Sequence, residues 1–214
     1  MWSYSDPRFA LPREPPFLAG MSPFHTLGVA YTGLFAFIGK QVPGGVDAFR
    51  RALPTEALRR FFEQPFSSSR NYDVVPLPYA ATTIARLRGI GFVEQVREAN
   101  RTAARGGFAK AYSALLRTIQ SDTLVLALPR AAAILHDFGK VTVKVVGPHC
   151  VQGARNGVPH VLVAWSTVAA GGFIETMMQD AGAKEVRMTF FEPEEDGLVA
   201  GQTTYRLPFR LEWL

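Results

Sequence analysis

The sequence predicts an α+β fold, in which an N-terminal helical layer packs on one face of a C-terminal, four-stranded, mainly antiparallel sheet. Three stretches, 140–145, 185–190 and 205–213, alternate polar and apolar residues. This alternation is expected of strands that have one buried and one solvated face. Apolar residues between 28 and 139 instead recur at helical spacing. With a helix over 173–181 between the strand pairs, the predicted order is β-β-α-β-β.

Residues 1–24 are predicted to be a tail, and residues 25–214 a single domain. The tail contains five prolines, which disfavour both a helix and a central strand. Its aromatic residues are types that anchor protein interfaces, so the segment is a candidate site for a protein partner. The alternative is that they fold back over a patch of the same domain. The candidate partner-binding residues are Trp2, Tyr4, Phe9 and Phe17.

The helical layer is predicted as a series of short helices separated by glycine, proline and polar turns. Ser121-Asp122 is a helix-capping pair, Pro129 is expected to kink or restart the helix that follows, and Gly139 to end it. The predicted helices cover about 31–39, 48–53, 55–63, 76–87, 92–105, 108–119 and 122–138.

In the sheet, the first strand is expected to continue through a loop, 147–158, into a second strand at 161–165. The last two strands are joined by an acidic turn over 192–197. The apolar positions of the strands should face the helices. The predicted core positions are Val141, Val143, Val186, Met188, Phe190, Leu207, Phe209 and Leu211.

Length, cysteine content and charge indicate the general class of protein and its location. A chain of 214 residues suits one domain with a substantial core. The single cysteine, Cys150, and a start without a secretory pattern predict a reducing, cytoplasmic location. The apolar segment 26–38 is too short to span a membrane. Although the net charge is +5, the arginines at 97, 101 and 105 alternate with glutamates at helical spacing, which predicts a solvated helix face and no nucleic-acid partner.

The residue pattern predicts neither catalysis nor a resident cofactor. No two of the four histidines have the spacing of a metal site on a helix. His149 and Cys150 are adjacent, but an orienting group and an oxyanion site do not accompany them. The glycines at 153–157 and 171–172 lack the lysine and hydroxyl residues of a phosphate-binding loop. We therefore expect a protein that is not an enzyme and has no haem or zinc.

The interior is unusually aromatic, which leaves two alternatives for the helix–sheet interface. Either the rings fill the core, or they line a cavity for an apolar small molecule or acyl chain. His136, beside Leu135 and Phe138, is either a core histidine or a polar contact in that cavity. The candidate ligand-binding residues are Phe35, Phe37, Phe92, Phe108, Tyr112 and His136.

Two stretches carry a family resemblance. The run from Leu128 to Lys140 and the run from Gly171 to Glu175 resemble the C-terminal half of 4-vinyl-reductase-type domains. Their superfamily also includes vesicle-tethering TRAPP subunits and haem domains that sense nitric oxide. From the run Gly28 to Phe35 onward, the chain is similar to a family of unknown function found largely in myxobacteria. The resemblance implies a ligand-binding fold.

The chain also departs from these relatives. The terminal hairpin lacks the cysteines of the 4-vinyl-reductase-type domains, and no histidine occurs between Ile90 and Leu135, where the haem sensors carry their axial ligand. The resemblance therefore implies a non-enzymatic ligand-binding or sensory module that acts through a protein partner. The alternative is a homodimeric assembly or adaptor protein with a filled core. The hydrophobicity of segment 26–38 favours a homodimer in either case.

Overall fold

The structure is a computed structural model that describes residues 2–4, 6–106 and 121–214. Its N-terminal half is a helical layer with one small two-stranded antiparallel sheet, formed by β1 (His25–Leu27) and β2 (Asn71–Asp73). The described helices of this layer are α1 (Val29–Gln41), α2 (Gly45–Ala52), α3 (Glu56–Phe61), α4 (Pro76–Arg88), α5 (Phe92–Arg105) and α6 (Ser121–Leu135).

Local chemistry accounts for several helix ends. The Thr55 hydroxyl accepts a hydrogen bond from the Leu58 amide at 3.2 Å and caps α3. Gly89 ends α4 in the left-handed conformation, with φ of 67°. The expected restart at Pro129 is wrong, because α6 runs through this proline as a single helix. Because proline has no backbone N–H group, the helix lacks one backbone hydrogen bond at this position.

The C-terminal half is an antiparallel sheet. Its strands are β3 (Lys140–Gly147), β4 (Cys150–Pro159), β5 (Arg187–Phe190), β6 (Glu194–Val199) and β7 (Gln202–Glu212). The order is β3-β4-β7-β5, and β6 pairs with another part of β7. Helix α7 (Val163–Asp180) follows a short 3-10 turn and separates β4 from β5. The α+β class and its two layers are confirmed, but the sheet has five strands in the order β-β-α-β-β-β.

The second strand lies earlier in the chain than predicted. The expected loop is β4, and the expected strand at 161–165 is the start of α7. The glycines of β4 suggested a loop, yet they have roles within a strand. A side chain at Gly153 would overlap the Phe209 ring, and Gly157 has φ of 70° where the β4–β7 register shifts. The run 161–165 is apolar because α7 is buried on several faces.

The additional strand is β6, which lies in the predicted acidic turn. Every residue of β6 is exposed, so it lacks the alternation that reveals a half-buried strand. Backbone pairing with β7 and an ion pair between Arg206 and Glu194 at 2.7 Å hold it in place.

One face of the sheet is covered and the other is solvated, as predicted. Leu207, Phe209 and Leu211 are buried on the covered face, whereas Val141 and Val143 are half-buried. Of the remaining predicted core positions, Met188 and Phe190 are buried and Val186 is half-buried. This inner face positions the side chains of the candidate site.

The N-terminal segment packs on the same chain. Trp2 and Phe9 are only 6% and 5% exposed, and the Phe9 ring lies 5.0 Å from that of Tyr205. The carboxylate of Asp73 accepts hydrogen bonds from the Gly20 amide at 2.8 Å and the Ser22 amide at 3.2 Å. These contacts agree with the alternative in which the aromatic residues cover their own domain. The boundary between tail and domain at residue 25 stays a prediction.

One described segment, 160–180, is long and apolar enough to cross a membrane, with a mean hydropathy of 1.4. It contains α7, and 56% of it is buried inside the protein. The helix packs against α5 and β5, so its apolar character is that of a core helix.

Candidate functional site

The predicted ligand residues that the structure describes lie in three different places. Phe35 lies in an aromatic cluster within the helical layer, with ring contacts to Phe49 at 6.4 Å and Phe66 at 5.6 Å. Phe37 is buried beneath the Arg88 guanidinium, whose carbon is 5.3 Å from the ring. Phe92 is half-buried in a second cluster with Ala81, Val96, Val168 and Ala169. Phe108 and Tyr112 lie outside the described residues.

Among the described residues, the aromatic cluster around Phe35 lies within the helical layer, and no ring contact joins it to the aromatic residues of the sheet. The expectation was that the two groups meet at the helix–sheet interface. The rings of the cluster meet mostly edge to face, with Phe49 and Phe62 5.1 Å apart at 84°. Such packing leaves the rings in contact with one another. The aromatic pair under the sheet, Phe190 and Phe209, is separate, with centroids 6.0 Å apart. The described rings of the helical layer therefore pack against one another, and a ligand-binding role for Phe35, Phe37 and Phe92 stays a prediction.

His136, the remaining predicted site residue, belongs to a different arrangement at the junction of α6, β1, β3 and β4. We call Thr26, His136, Phe138 and Arg155 the junction cluster. The Phe138 ring lies 5.2 Å from the His136 ring, and the Arg155 guanidinium carbon lies 4.9 Å from the Phe138 centroid. Thr26 and His136 form an isolated antiparallel bridge. The cluster thus joins the helical layer to the sheet.

Three local features build the junction cluster. The Asp137 carboxylate is turned towards His25, accepting from its backbone amide at 2.7 Å and contacting its ring nitrogen Nδ1 at 2.6 Å. Gly139 has φ of 74° and ends the connection from α6 to β3. A side chain at Gly139 would overlap Arg155 Nε, which donates to the Gly139 carbonyl at 3.3 Å. The inward position of Arg155 follows from the β4 register, which pairs it with Val141 and Leu207.

The electrostatics of the cluster are unusual. Burial lowers the pKa of Arg155 to about 10, so the guanidinium remains charged at neutral pH. Burial, assisted by the nearby Arg155 charge, holds the pKa of His136 well below 6.5, so its imidazole is neutral. None of the carboxylates in the described part of the chain forms an ion pair with Arg155. The cluster therefore carries one enclosed positive charge.

Three polar atoms of the cluster are shielded from solvent and lack hydrogen-bond partners among the described residues. They are Nη2 of Arg155, Nδ1 of His136 and Oγ1 of Thr26. Most buried polar atoms in folded proteins do have a partner, and a buried charge without one is costly. The arrangement can accept a ligand that carries hydrogen-bond acceptors and a negative charge.

A second candidate is an open groove of about 380 Å³ on the outer face of the sheet. Thr142, Lys144 and Gln152 form one side of it, and Arg206 and Phe191 the other. The Arg206 guanidinium is already paired with Glu194. This groove is basic but open to solvent. It therefore offers weaker discrimination between ligands than the enclosed junction cluster does.

The residues considered for catalysis are not arranged for it. His149 is exposed in a tight turn with φ of 55°, and its ring faces Trp213 at 5.9 Å. Cys150 is buried, 8% exposed. Within the described part of the chain, no group of three or more His, Cys, Asp or Glu residues could hold a metal ion.

The candidate partner-binding aromatics lie along the surface of their own domain. The Trp2 ring is 5.5 Å from those of Tyr4 and Phe9. Phe17 contacts Phe24 at 6.2 Å, and Phe24 in turn contacts Phe138 of the junction cluster at 5.8 Å. The N-terminal segment is therefore connected to the candidate site by ring contacts. Partner binding by these residues stays a prediction.

Arg155 and Thr26 were missed at the level of sequence. Arg155 was assigned to a loop, where an arginine is normally solvated. The available signal was the alternation of Val151, Gly153 and Arg155 across β4, which places all three on the covered face once the segment is read as a strand.

Comparison with solved structures reveals H-NOX domains as structural neighbours. An oxygen-binding H-NOX domain related to soluble guanylate cyclases, in its oxygen complex, has a TM-score of 0.60 at 12% identity over 87% of this chain and 92% of its own. A Cs H-NOX mutant containing an unnatural amino acid has a TM-score of 0.64 at 12% identity, covering 87% and 95%. A mutant H-NOX of T. tengcongensis has a TM-score of 0.60 at 13% identity, covering 87% and 94%.

These neighbours show an H-NOX-like fold, which agrees with the sequence resemblance to haem sensor domains. No family model matches the chain, and no curated protein matches it either. The proposed relation to 4-vinyl-reductase-type domains and TRAPP subunits stays a prediction.

The residues of this chain do not fit the haem that the fold suggests. The segment between Ile90 and Leu135 has no histidine. His25 lies on β1 at the edge of the helical layer, where its Nδ1 atom contacts Asp137, and His160 packs between the rings of Phe9 and Tyr205. His136 is enclosed beside the Arg155 cation, which opposes a second positive centre at its Nδ1 atom.

Proposed function

We propose that this protein is a non-enzymatic, haem-independent ligand-binding sensory domain, and that its ligand binds at the junction cluster. The observation that carries the proposal is the enclosed Arg155 guanidinium, whose Nη2 atom is unpaired. The Nδ1 atom of His136 is also unpaired, and both groups contact the Phe138 ring. A ligand that accepts hydrogen bonds from both would remove the cost of leaving them unpaired. The H-NOX-like fold adds a precedent, because one structural neighbour is an oxygen-binding domain.

The position of the cluster would couple ligand binding to the contact between the helical layer and the sheet. Asp137 ties the end of α6 to β1 through His25, and Arg155 ties β4 to the Gly139 carbonyl. A ligand at this junction contacts both layers, so its binding would change how strongly they are held together. A protein partner that reads this difference would complete the sensory function.

Mass spectrometry of the purified full chain under non-denaturing conditions tests the proposal. We expect a small molecule to remain bound to the wild-type protein, to be lost from Arg155→Met, and to be retained by Lys144→Met. The second variant removes one exposed positive charge from the outer groove and is the matched control. Equal retention by both variants would place the ligand elsewhere. The visible spectrum should lack a haem band, and an intense band lost on mutating His136 would refute haem independence.

A homodimeric assembly protein is the second candidate function. The β3 strand is an edge of the sheet, and its Val145 and Val146 are 56% and 44% exposed. Exposed apolar residues on an unpaired edge favour association with another chain. Light scattering tests this candidate: a dimer that is lost in Val145→Lys supports it, and a monomer at tens of micromolar contradicts it.

A further inference from the structure

We infer that the ligand of the junction cluster is an organic monocarboxylate, whose carboxylate accepts hydrogen bonds from Arg155 and His136. This inference deepens the proposed function and rests on it. It concerns the chemical class of the ligand, which the fold does not determine.

The charge of the site argues for a single negative charge on the ligand. Arg155 is the enclosed cation of the cluster, and the neighbouring carboxylate of Asp137 is directed at His25. His136 is neutral, so it contributes a hydrogen bond but no charge. A carboxylate would neutralise Arg155, whereas a phosphate dianion would leave one uncompensated charge in an enclosed site.

The unpaired atoms also match the acceptors of a carboxylate. Arg155 donates through Nε to the Gly139 carbonyl and leaves Nη2 for the ligand. One carboxylate oxygen can accept from Nη2, and the other from the Nδ1–H tautomer of His136. The Thr26 hydroxyl is a further unpaired group of the same cluster and can donate to either oxygen.

The surroundings of Arg155 argue for an apolar body on the ligand. Across the sheet, Arg155 is flanked by Val141 on β3 and Leu207 on β7. The Phe138 ring lies under the guanidinium, and Phe24 meets the edge of Phe138. These apolar neighbours would pack against a hydrocarbon or aromatic body on the ligand, whereas they offer no hydrogen bond to a small hydrated anion.

Isothermal titration calorimetry of the full chain tests the inference with three probes of the same chain length: octanoate, octan-1-ol and octyl phosphate. Octanoate should bind the wild-type protein best. Arg155→Met should weaken octanoate binding about tenfold or more, since a hydrogen bond to a charged group is lost. The same substitution should leave octan-1-ol binding unchanged, and Lys144→Met should leave both unchanged.

The outcomes separate this inference from the function on which it rests. Equal affinity for octanoate and octan-1-ol, tighter binding of octyl phosphate, or undiminished octanoate binding by Arg155→Met would each overturn the monocarboxylate assignment. A neutral compound that co-purifies with wild type and is lost from Arg155→Met would overturn the assignment while preserving the proposed function. If no probe binds and no compound co-purifies, both fall.

Discussion

Replacing Arg155 with methionine tests whether this residue serves binding or stability. Among the described residues, Arg155 donates a hydrogen bond to the Gly139 carbonyl and stacks on the Phe138 ring. Methionine is unbranched and adaptable, so it can retain the packing of the arginine stem beside Val141 and Leu207. The substitution therefore removes the charge and leaves much of the volume.

The energetic effects of the substitution oppose one another. Loss of a hydrogen bond from a charged group costs about 1.5–3 kcal/mol, and loss of the cation–π contact about 1 kcal/mol. Against these, burial lowers the pKa of Arg155 to about 10, which corresponds to a burial penalty of about 3 kcal/mol that the methionine does not incur. We expect the free energy of unfolding at pH 7 to stay within about 1 kcal/mol of the wild type.

Urea denaturation followed by circular dichroism measures this difference. An Arg155→Met protein that is destabilised by more than about 3 kcal/mol would refute the reasoning, because Arg155 would then be a structural residue whose bonds outweigh its burial cost. The wild type should also gain stability relative to the variant as the pH rises above 10 towards 12.5. In that range the folded arginine has released its proton and the unfolded one has not.

Three further predictions concern single residues of the cluster and the core. The free energy of unfolding of the wild type should decrease below pH 6.5, by up to about 2 kcal/mol at pH 5, because unfolded His136 takes up a proton that the folded state excludes. In urea titrations, His136→Asn should reduce this pH dependence, whereas the control His149→Asn should leave it unchanged. Gly139→Ala should lower the melting temperature more than Gly201→Ala. Both glycines have φ near 75°, but only a side chain at position 139 would overlap another residue. An equal decrease in melting temperature for the two variants would contradict the close contact at Gly139. Phe209→Ala should cost about 3–5 kcal/mol in the same assay, and an unchanged melting temperature would contradict its burial.

The elements that could be predicted from sequence are those with a regular burial pattern. The terminal strand β7 alternates because one face of the sheet is solvated, and α5 has a single apolar stripe. The strands β4 and β6 escaped prediction for opposite reasons. In β4, glycines are needed for close packing and a bulge, so the segment has the composition of a loop. In β6, both faces are exposed, so there is no apolar face to detect.

The candidate site was only partly predictable, because it depends on contacts between distant segments. His136 was among the predicted ligand residues, but its partner Arg155 was hidden by the misassigned strand. The placement of Asp137 against His25 joins residues more than a hundred positions apart. Sequence periodicity contains no information on such pairing. The burial of the N-terminal aromatic residues could not be predicted for the same reason, because Trp2 is buried by residues that lie far from it in the sequence.

The similarity to H-NOX domains concerns the backbone, and the chemistry must be argued from the residues of this chain. A fold can keep a ligand site between its layers while the side chains that line it change. At the site proposed for this chain, the side chains are an enclosed cation and a neutral imidazole, each with an unpaired nitrogen. A cationic metal centre would be opposed by Arg155, whereas an anion would be stabilised by it. The same fold would then bind a different class of ligand. Replacing Arg155 tests this, because a binding residue would affect ligand affinity, whereas an arginine that only supports the fold would affect stability.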